Sequence, residues 1–153
     1  MDSNYWTHPE LNTFRWVWTG NFSIPMNSYR GGKEEGQYTY IARTWHHGGL
    51  YPGSITPGDK GATVAWNGEE LMNEPYEVLQ LFDSEWKKCT GGKAPRNAVW
   101  CCFEPDGEPI FIGQVKHKGN KYIGKVRKEF KGCNFVFGGK EITKDEYKVL
   151  TCD

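Results

Sequence analysis

The residues best placed to do chemistry lie in one stretch, 104–125, which reads EPDGEPIFIGQVKHKGNKYIGK. It begins with a carboxylate, Glu104, beside a turn and ends with an ammonium, Lys125. Each sugar hydroxyl both donates and accepts hydrogen bonds, so an acceptor-only carboxylate and a donor-only ammonium can bracket two neighbouring hydroxyls. The ring of Tyr122 would cover the C–H side of a sugar, and the backbone at Gly124 would complete the pocket. These residues predict a carbohydrate-binding site; an ordinary turn acid and an ordinary exposed lysine are the alternative.

The sequence contains none of the common catalytic motifs. A nucleophilic enzyme needs a Ser or Cys beside a His that a third residue orients. The motifs GxSxG, HExxH and GxxxxGK[ST] do not occur. His46 and His117 each stand two residues before a glycine, at equivalent positions in the chain, which favours a role in the fold. We therefore expect a protein that is not an enzyme, with no cofactor and no metal site.

Paired carboxylates leave a second possibility, a carbohydrate hydrolase. Such an enzyme needs two carboxyl groups that flank one glycosidic bond, and nothing in the sequence identifies that pair. Glu70 and Glu141 each follow a predicted hairpin turn, so we expect them to accept hydrogen bonds from turn amides.

The chain contains one long internal duplication. A shift of seventy-one residues aligns Gly36 with Gly107, and the alignment continues without a gap to Leu79 and Leu150. Upstream of Gly36 the shift is seventy residues, because one residue has been inserted near Pro105. Self-similarity at a fixed period indicates two copies of one structural unit. The division is a polar leader at 1–12, a first repeat at 13–82 and a second repeat at 83–153. Units of this size are marginal alone, so we expect them to pack as one body about a pseudo-two-fold axis.

The equivalent site in the first repeat differs in its chemistry. Glu34 corresponds to Glu104, and Gly53 corresponds to Gly124. Ser54 stands where the second repeat has Lys125, and a short neutral hydroxyl cannot replace the charged donor. The second-repeat site is therefore the preferred candidate, and the first is degraded or altered in specificity.

The pattern of the chain is β throughout. Short aromatic and β-branched runs alternate with glycine-rich turns, as in FRWVWTG, YEVLQLF and YKVLTC. Asn67-Gly68 and Gly138-Gly139 predict tight hairpins, because the central residues of a type I′ turn need positive φ. No window shows a helical apolar stripe. The expected fold is all-β, with antiparallel strands in two related repeats.

Charge and cysteine content restrict the class of protein. The formal net charge is zero, which argues against a nucleic-acid binder. Five cysteines, all in the second half, form no symmetric disulfide framework, so reduced thiols are expected. The amino terminus has no apolar signal region and no stretch is long enough for a transmembrane span, which predicts a cytoplasmic protein, with non-classical release as an alternative.

The order of motifs resembles the DM-nine repeat family: Pro-x-Asn, Gly/Cys-x-Glu, a turn glycine, H-x-G, Y-x-G-S/K, G-G-x-E and Y-x-V-L. The resemblance extends from about Trp16 to Leu150. It implies two intertwined antiparallel β repeats, often a homodimer, in which an acidic residue and a lysine hold mannose. The acid falls on Glu34 and Glu104, where the family usually has Asp, and the lysine falls on Lys125.

The resemblance implies a lectin that binds mannose or mannose-containing glycans, in innate immunity or self/non-self recognition. The alternative is a non-enzymatic interaction module. It would dock a protein or an anionic lipid through a basic face formed by residues between Lys116 and Lys131.

Overall fold

The computed structural model describes residues 14–18, 24–81 and 83–152. The predicted leader at 1–12 lies outside these residues. The described chain forms fourteen β-strands and one 3-10 turn, Lys128–Phe130, so the all-β prediction is confirmed. In the first repeat the strands are β1 (Phe14–Trp18), β2 (Arg30–Glu34), β3 (Gln37–His46), β4 (Gly49–Ile55), β5 (Ala62–Trp66), β6 (Glu69–Asn73) and β7 (Tyr76–Leu81). In the second they are β8 (Glu85–Thr90), β9 (Trp100–Phe103), β10 (Pro109–His117), β11 (Asn120–Arg127), β12 (Gly132–Phe137), β13 (Lys140–Lys144) and β14 (Glu146–Thr151).

The two repeats exchange strands within one continuous antiparallel sheet. Strands β4, β5, β6, β13, β12 and β11 run side by side in that order. On one side β2 and β3 connect β11 back to β4, which closes a ring of eight strands, and on the other side β9 and β10 make the same connection. At the junctions, Lys33 of the first repeat lies opposite Lys121 of the second, and Leu50 lies opposite Phe103. The pairings are those of a pseudo-two-fold axis.

The axis passes between β6 and β13, where the two predicted hairpins meet. The amide of Glu70 donates to the carbonyl of Gly139 at 3.1 Å, and the amide of Glu141 donates to the carbonyl of Gly68 at 3.0 Å. Asn67 and Gly68 have φ values of 54° and 83°, as the type I′ prediction requires. The hairpin turns therefore join the repeats as well as the strands within each repeat.

One buried cluster contains matching residues from both repeats. Trp16, Ile41 and Leu79 come from the first repeat, and Ile112 and Leu150 stand at the equivalent positions of the second. Ile123 and Val99 complete the cluster. Because each repeat supplies about half of this core, neither could bury it alone.

We predict that Ile112→Ala lowers the free energy of unfolding by about 2–5 kcal/mol, because Ile112 is fully buried in the shared core. Chemical denaturation measures the change. Met72→Ala is the control, since this side chain is half exposed and its loss should cost less than about 0.5 kcal/mol. Two separate unfolding transitions for the Ile112 variant would contradict a shared core.

Candidate functional site

The predicted carboxylate of the second repeat, Glu104, already has two protein partners. The hydroxyl of Tyr51 donates to Glu104 Oε1 at 2.8 Å, and Arg127 Nη1 donates to Glu104 Oε2 at 2.8 Å. Tyr51 comes from β4 of the first repeat, so the network crosses between repeats. Burial raises the pKa of Tyr51 to about 12, which keeps the hydroxyl protonated as the donor.

The predicted ammonium, Lys125, is paired with a different acid. Its Nζ lies 3.4 Å from Glu141 Oε2, and only 4% of the residue is exposed. The rings of Tyr51 and Phe130 lie 5.2 and 5.1 Å from the same Nζ. Burial lowers the pKa of Lys125, and the charge of Glu141 opposes this shift. The ammonium is therefore enclosed by one carboxylate and two rings.

Glu141 in turn is held by both repeats. Its Oε1 accepts a hydrogen bond from the amide of Gly68 at 2.8 Å, and its Oε2 accepts one from Asn134 Nδ2 at 2.8 Å. Glu141 thus accepts from a turn amide as its position predicts, although the turn belongs to the other repeat. The second-repeat site is a closed network of paired charges, defined here as Tyr51, Glu104, Lys125, Arg127 and Glu141.

The side chain of Tyr122 does not lie with those of Glu104 and Lys125, which corrects the predicted grouping. Side chains alternate between the two faces of a strand, so on β11 Tyr122 points away from the face that carries Lys125. Tyr122 and Gly124 line a cavity with Glu34 and Ser54, the site residues of the first repeat. Each site is therefore built from both repeats.

The first-repeat cavity has a volume of about 160 Å³ and a polar wall. Three carboxylates line it, those of Glu34, Asp59 and Glu70. The remaining lining is mostly hydroxyl-bearing and small side chains, namely Thr39, Pro52, Ser54, Thr56, Thr63, Ala65, Tyr122, Ile123, Gly124 and Val136. No Lys, Arg or His is among these lining residues. Gly53, also predicted here, lies so close to the carbonyl of Thr63 that a Cβ would overlap it.

The cavity is open because three side chains that fill the second site are short in the first. Lys125, Arg127 and Phe130 correspond by the repeat shift to Ser54, Thr56 and Asp59. Thr56 and Asp59 bond each other, the hydroxyl of Thr56 donating to Asp59 Oδ2 at 2.5 Å. Glu34 and Glu70 correspond to Glu104 and Glu141 of the second repeat. They line the cavity without a lysine or arginine among the other lining residues.

Charge and burial act on Glu34 in one direction. Burial raises the pKa of this carboxyl, and the charges of Glu70 and Asp59 raise it further. The cavity also includes Thr39, a buried residue whose hydroxyl oxygen has no hydrogen-bond partner among the described residues. At the equivalent position the second repeat has Ile110, which is fully buried. The cavity is therefore polar at a depth where the other repeat is apolar.

Sequence reasoning missed Arg127, Asp59 and Thr56 as members of the two sites. The repeat alignment could have indicated them, because Arg127 and Phe130 of the second repeat align with Thr56 and Asp59 of the first. Their proximity to Glu104 and Glu34 depends on the exchange of strands between repeats, which local patterns do not encode.

The fold and the two sites define an all-β protein made of two intertwined repeats. The family model of the DM9 repeat matches residues 7–71 and 33–144, so the chain belongs to the DM9 repeat family. The sequence is 26% identical over 142 residues to Natterin-3 of Thalassophryne nattereri. That match covers 88% of this chain and 35% of Natterin-3, so the chain spans about a third of this relative.

A solved structure has the same fold. The nematode sperm cell motility protein MFP2B superposes with a TM-score of 0.62 at 14% identity, over 94% of this chain and 47% of that chain. At this identity the likeness concerns the fold alone. In the part of the chain that the structure describes, no helix is long and apolar enough to cross a membrane.

We predict that Lys125→Met destabilises the protein by about 3 kcal/mol, because it leaves the carboxylate of Glu141 buried without its cation. The double variant Lys125→Met/Glu141→Gln should recover most of the loss, since it removes the uncompensated charge. Chemical denaturation of the two single variants and the double variant completes the cycle. Strictly additive losses would mean that the two groups do not interact.

We predict that Glu34→Gln is more stable than the unmodified protein near neutral pH. The pKa of Glu34 is higher in the folded chain, so this residue favours folding most at low pH, and its contribution falls as pH rises through the folded pKa. The difference should therefore disappear below about pH 4, where the carboxyl is protonated in both states. Thermal unfolding across pH measures it, with the exposed Glu108→Gln as control.

Proposed function

We propose that this protein binds carbohydrate without turning it over, and that its ligands are mannose-type glycans. The observation that carries the proposal is the first-repeat cavity, where carboxylates and hydroxyls line an unfilled volume. Carboxylates accept hydrogen bonds from sugar hydroxyls, while Ser and Thr hydroxyls both donate and accept. The tyrosine in the wall, Tyr122, provides the apolar surface that the C–H face of a sugar needs.

The size of the cavity supports one small ligand rather than a long chain. Its volume of about 160 Å³ lies below the range of about 300–1,000 Å³ typical of pockets for larger molecules. A single terminal sugar ring is the part of a glycan that such a site would take. Binding at one such site is expected to be weak, near the millimolar level that corresponds to about −4 kcal/mol.

A sugar can bind in the second-repeat network only if some contacts between the side chains of the network are broken. Glu104 and Lys125 were the preferred pair on sequence grounds, and that assignment stays a prediction. A sugar there would have to replace the contacts of Glu104 with Tyr51 and Arg127, or that of Lys125 with Glu141. Because these contacts are buried or half-buried, we assign the first-repeat cavity as the primary site.

We further propose that the protein acts as a homodimer in innate immune or self/non-self recognition. Weak single sites gain avidity when two or more are held in one assembly. Exposed aromatic side chains support self-association: Trp18 is 64% exposed, Trp45 50% and Trp100 64%. Large apolar side chains that are exposed on a single subunit often mark the surface where two subunits meet.

The test replaces Ser54 by the side chain that fills the other site. We predict that Ser54→Lys lowers mannose affinity at least about tenfold, because an ammonium beside Glu70 would occupy the cavity as Lys125 does beside Glu141. The free energy of unfolding should not fall, since the new cation offsets the three carboxylates. Calorimetry with mannose, and denaturation of the same samples, measure both.

Met26→Lys is the control, because it adds the same charge at a position that is 84% exposed and does not line the cavity. Mannose binding that survives Ser54→Lys and disappears in Glu104→Gln would move the sugar to the second-repeat network. The absence of mannose binding by the unmodified protein would refute the assignment.

A further inference from the structure

The predicted basic face is not one surface, and its exposed lysines meet residues from elsewhere in the chain. Lys125 is buried against Glu141, and Arg127 is bonded to Glu104, so neither belongs to a docking face. Lys116 and Lys121 are exposed and lie directly opposite each other on β10 and β11. Across the repeat junction, Lys121 also lies opposite Lys33 of β2. Three lysines therefore form one row across three neighbouring strands.

A second like-charged pair lies on the adjoining strands. Lys148 of β14 lies directly opposite Lys88 of β8. Directly opposed residues of antiparallel strands have Cβ atoms about 4.5–5.5 Å apart, and like charges at that spacing are destabilising. The row and the pair surround two adjoining concavities of about 500 and 610 Å³, which share Gln114 and Lys148 as wall residues. We call this surface the lysine groove.

The groove carries a strong excess of positive charge. In the part of the chain that the structure describes, seven cationic side chains line the two concavities, against one carboxylate, that of Glu146. The five lysines already named are joined in the walls by Lys144 and by Arg30. The chain as a whole has a formal net charge of zero, so this concentration is local.

The first repeat shows that the fold does not need these lysines. The row Lys116, Lys121 and Lys33 corresponds to Trp45, Leu50 and Phe103, which are apolar and likewise face one another across strands. At the place of Lys148 and Gln114 the first repeat has Glu77 and Arg43, whose side chains form an ion pair at 2.7 Å. The same backbone positions thus hold apolar contacts and opposite charges in one copy, and like charges in the other.

We propose that the lysine groove is a second binding site, separate from the first-repeat cavity, and that it takes a linear sulfated polysaccharide. A polyanion would remove the repulsion between the opposed lysines, and their charges lie at intervals along a groove that crosses the repeat junction. Lysine ammonium groups are compact point charges that can meet a sulfate from any direction.

The shape and lining of the groove favour a polysaccharide over a membrane or a nucleic acid. A flat bilayer cannot enter two concavities, and Lys148, deep in the shared wall, is only partly exposed. Single-stranded nucleic acids bind by stacking bases on aromatic rings. Here Tyr38, although 44% exposed, already has the cations of Arg30 and Lys33 at 4.5 and 5.0 Å from its ring, and Trp86 packs against the core.

The experiment titrates the full chain with a heparin oligosaccharide of defined length at several sodium chloride concentrations, followed by calorimetry. We expect binding that weakens linearly with the logarithm of salt concentration, as counterion release requires. Lys121→Gln/Lys148→Gln should lose at least about tenfold in affinity. The control Lys131→Gln/Lys140→Gln removes the same charge from exposed positions outside the groove and should lose less than about twofold.

A second measurement tests the repulsion itself in the free protein. Lys121→Gln should raise the melting temperature, because Lys121 opposes two lysines, whereas Lys140→Gln, which loses the contact of Lys140 with Glu69, should not. A lowered melting temperature for Lys121→Gln would show that the row is not strained.

Three results would overturn the proposal. The first is an equal loss of heparin affinity in the groove variant and the control variant. The second is that a desulfated oligosaccharide binds as tightly as the sulfated one. The third is that phosphatidylserine vesicles or single-stranded DNA bind more tightly than heparin and lose this binding in the groove variant. Excess mannose should leave heparin binding unchanged. The proposal for the groove and the proposal for the first-repeat cavity are therefore tested separately.

Discussion

Neither repeat closes its own sheet, and the rest of the structure depends on this constraint. Strand β2 of the first repeat finds its outer partner in β11 of the second, and β9 of the second finds its outer partner in β4 of the first. Backbone amides and carbonyls at a strand edge need hydrogen-bond partners, so the exchange satisfies groups that a single repeat would leave open. The shared core and both candidate sites follow from it.

Because the two repeats have the same backbone fold, each residue can be compared with the equivalent residue of the other repeat. Lys125 and Arg127 pair with the half-buried carboxylates of Glu141 and Glu104, whereas Ser54 and Thr56 stand at the equivalent positions of the first repeat and bring no cation. Charges withdrawn from water are costly unless they are paired, but in the first repeat Glu34 is only half-buried and Glu70 is exposed, so solvent reaches these acids. This chain has kept the acids.

Much of the fold could be predicted from the sequence, because its determinants are local. Asn67-Gly68 specifies a tight hairpin through backbone conformation alone, and alternating residues specify strands. The duplication predicted two related units. The pairing of strands between units could not be derived in this way, because strand partners lie far apart in the chain and their register depends on the assembled sheet.

The same limit explains how far the candidate site could be predicted. Glu34, Ser54, Glu104 and Lys125 were proposed as site residues because the family resemblance and the repeat alignment place them at equivalent positions, and their role stays a prediction. Tyr122 was placed with the wrong partners, because proximity in sequence to Lys125 concealed that the two side chains point to opposite faces of β11. The pairing of charges in the second network depends on Glu141. Its hydrogen bond with Gly68 of the other repeat is not indicated by any local motif.

The hydrogen bond from the amide of Gly68 to Glu141 connects the two sites mechanically. Gly68 lies in the turn between β5 and β6, and Glu70, two residues later, is in the wall of the first-repeat cavity. Glu141 holds Lys125 in the second-repeat network. One hairpin turn therefore carries a wall residue of the cavity and holds the counter-ion of Lys125, so the two sites share a structural element.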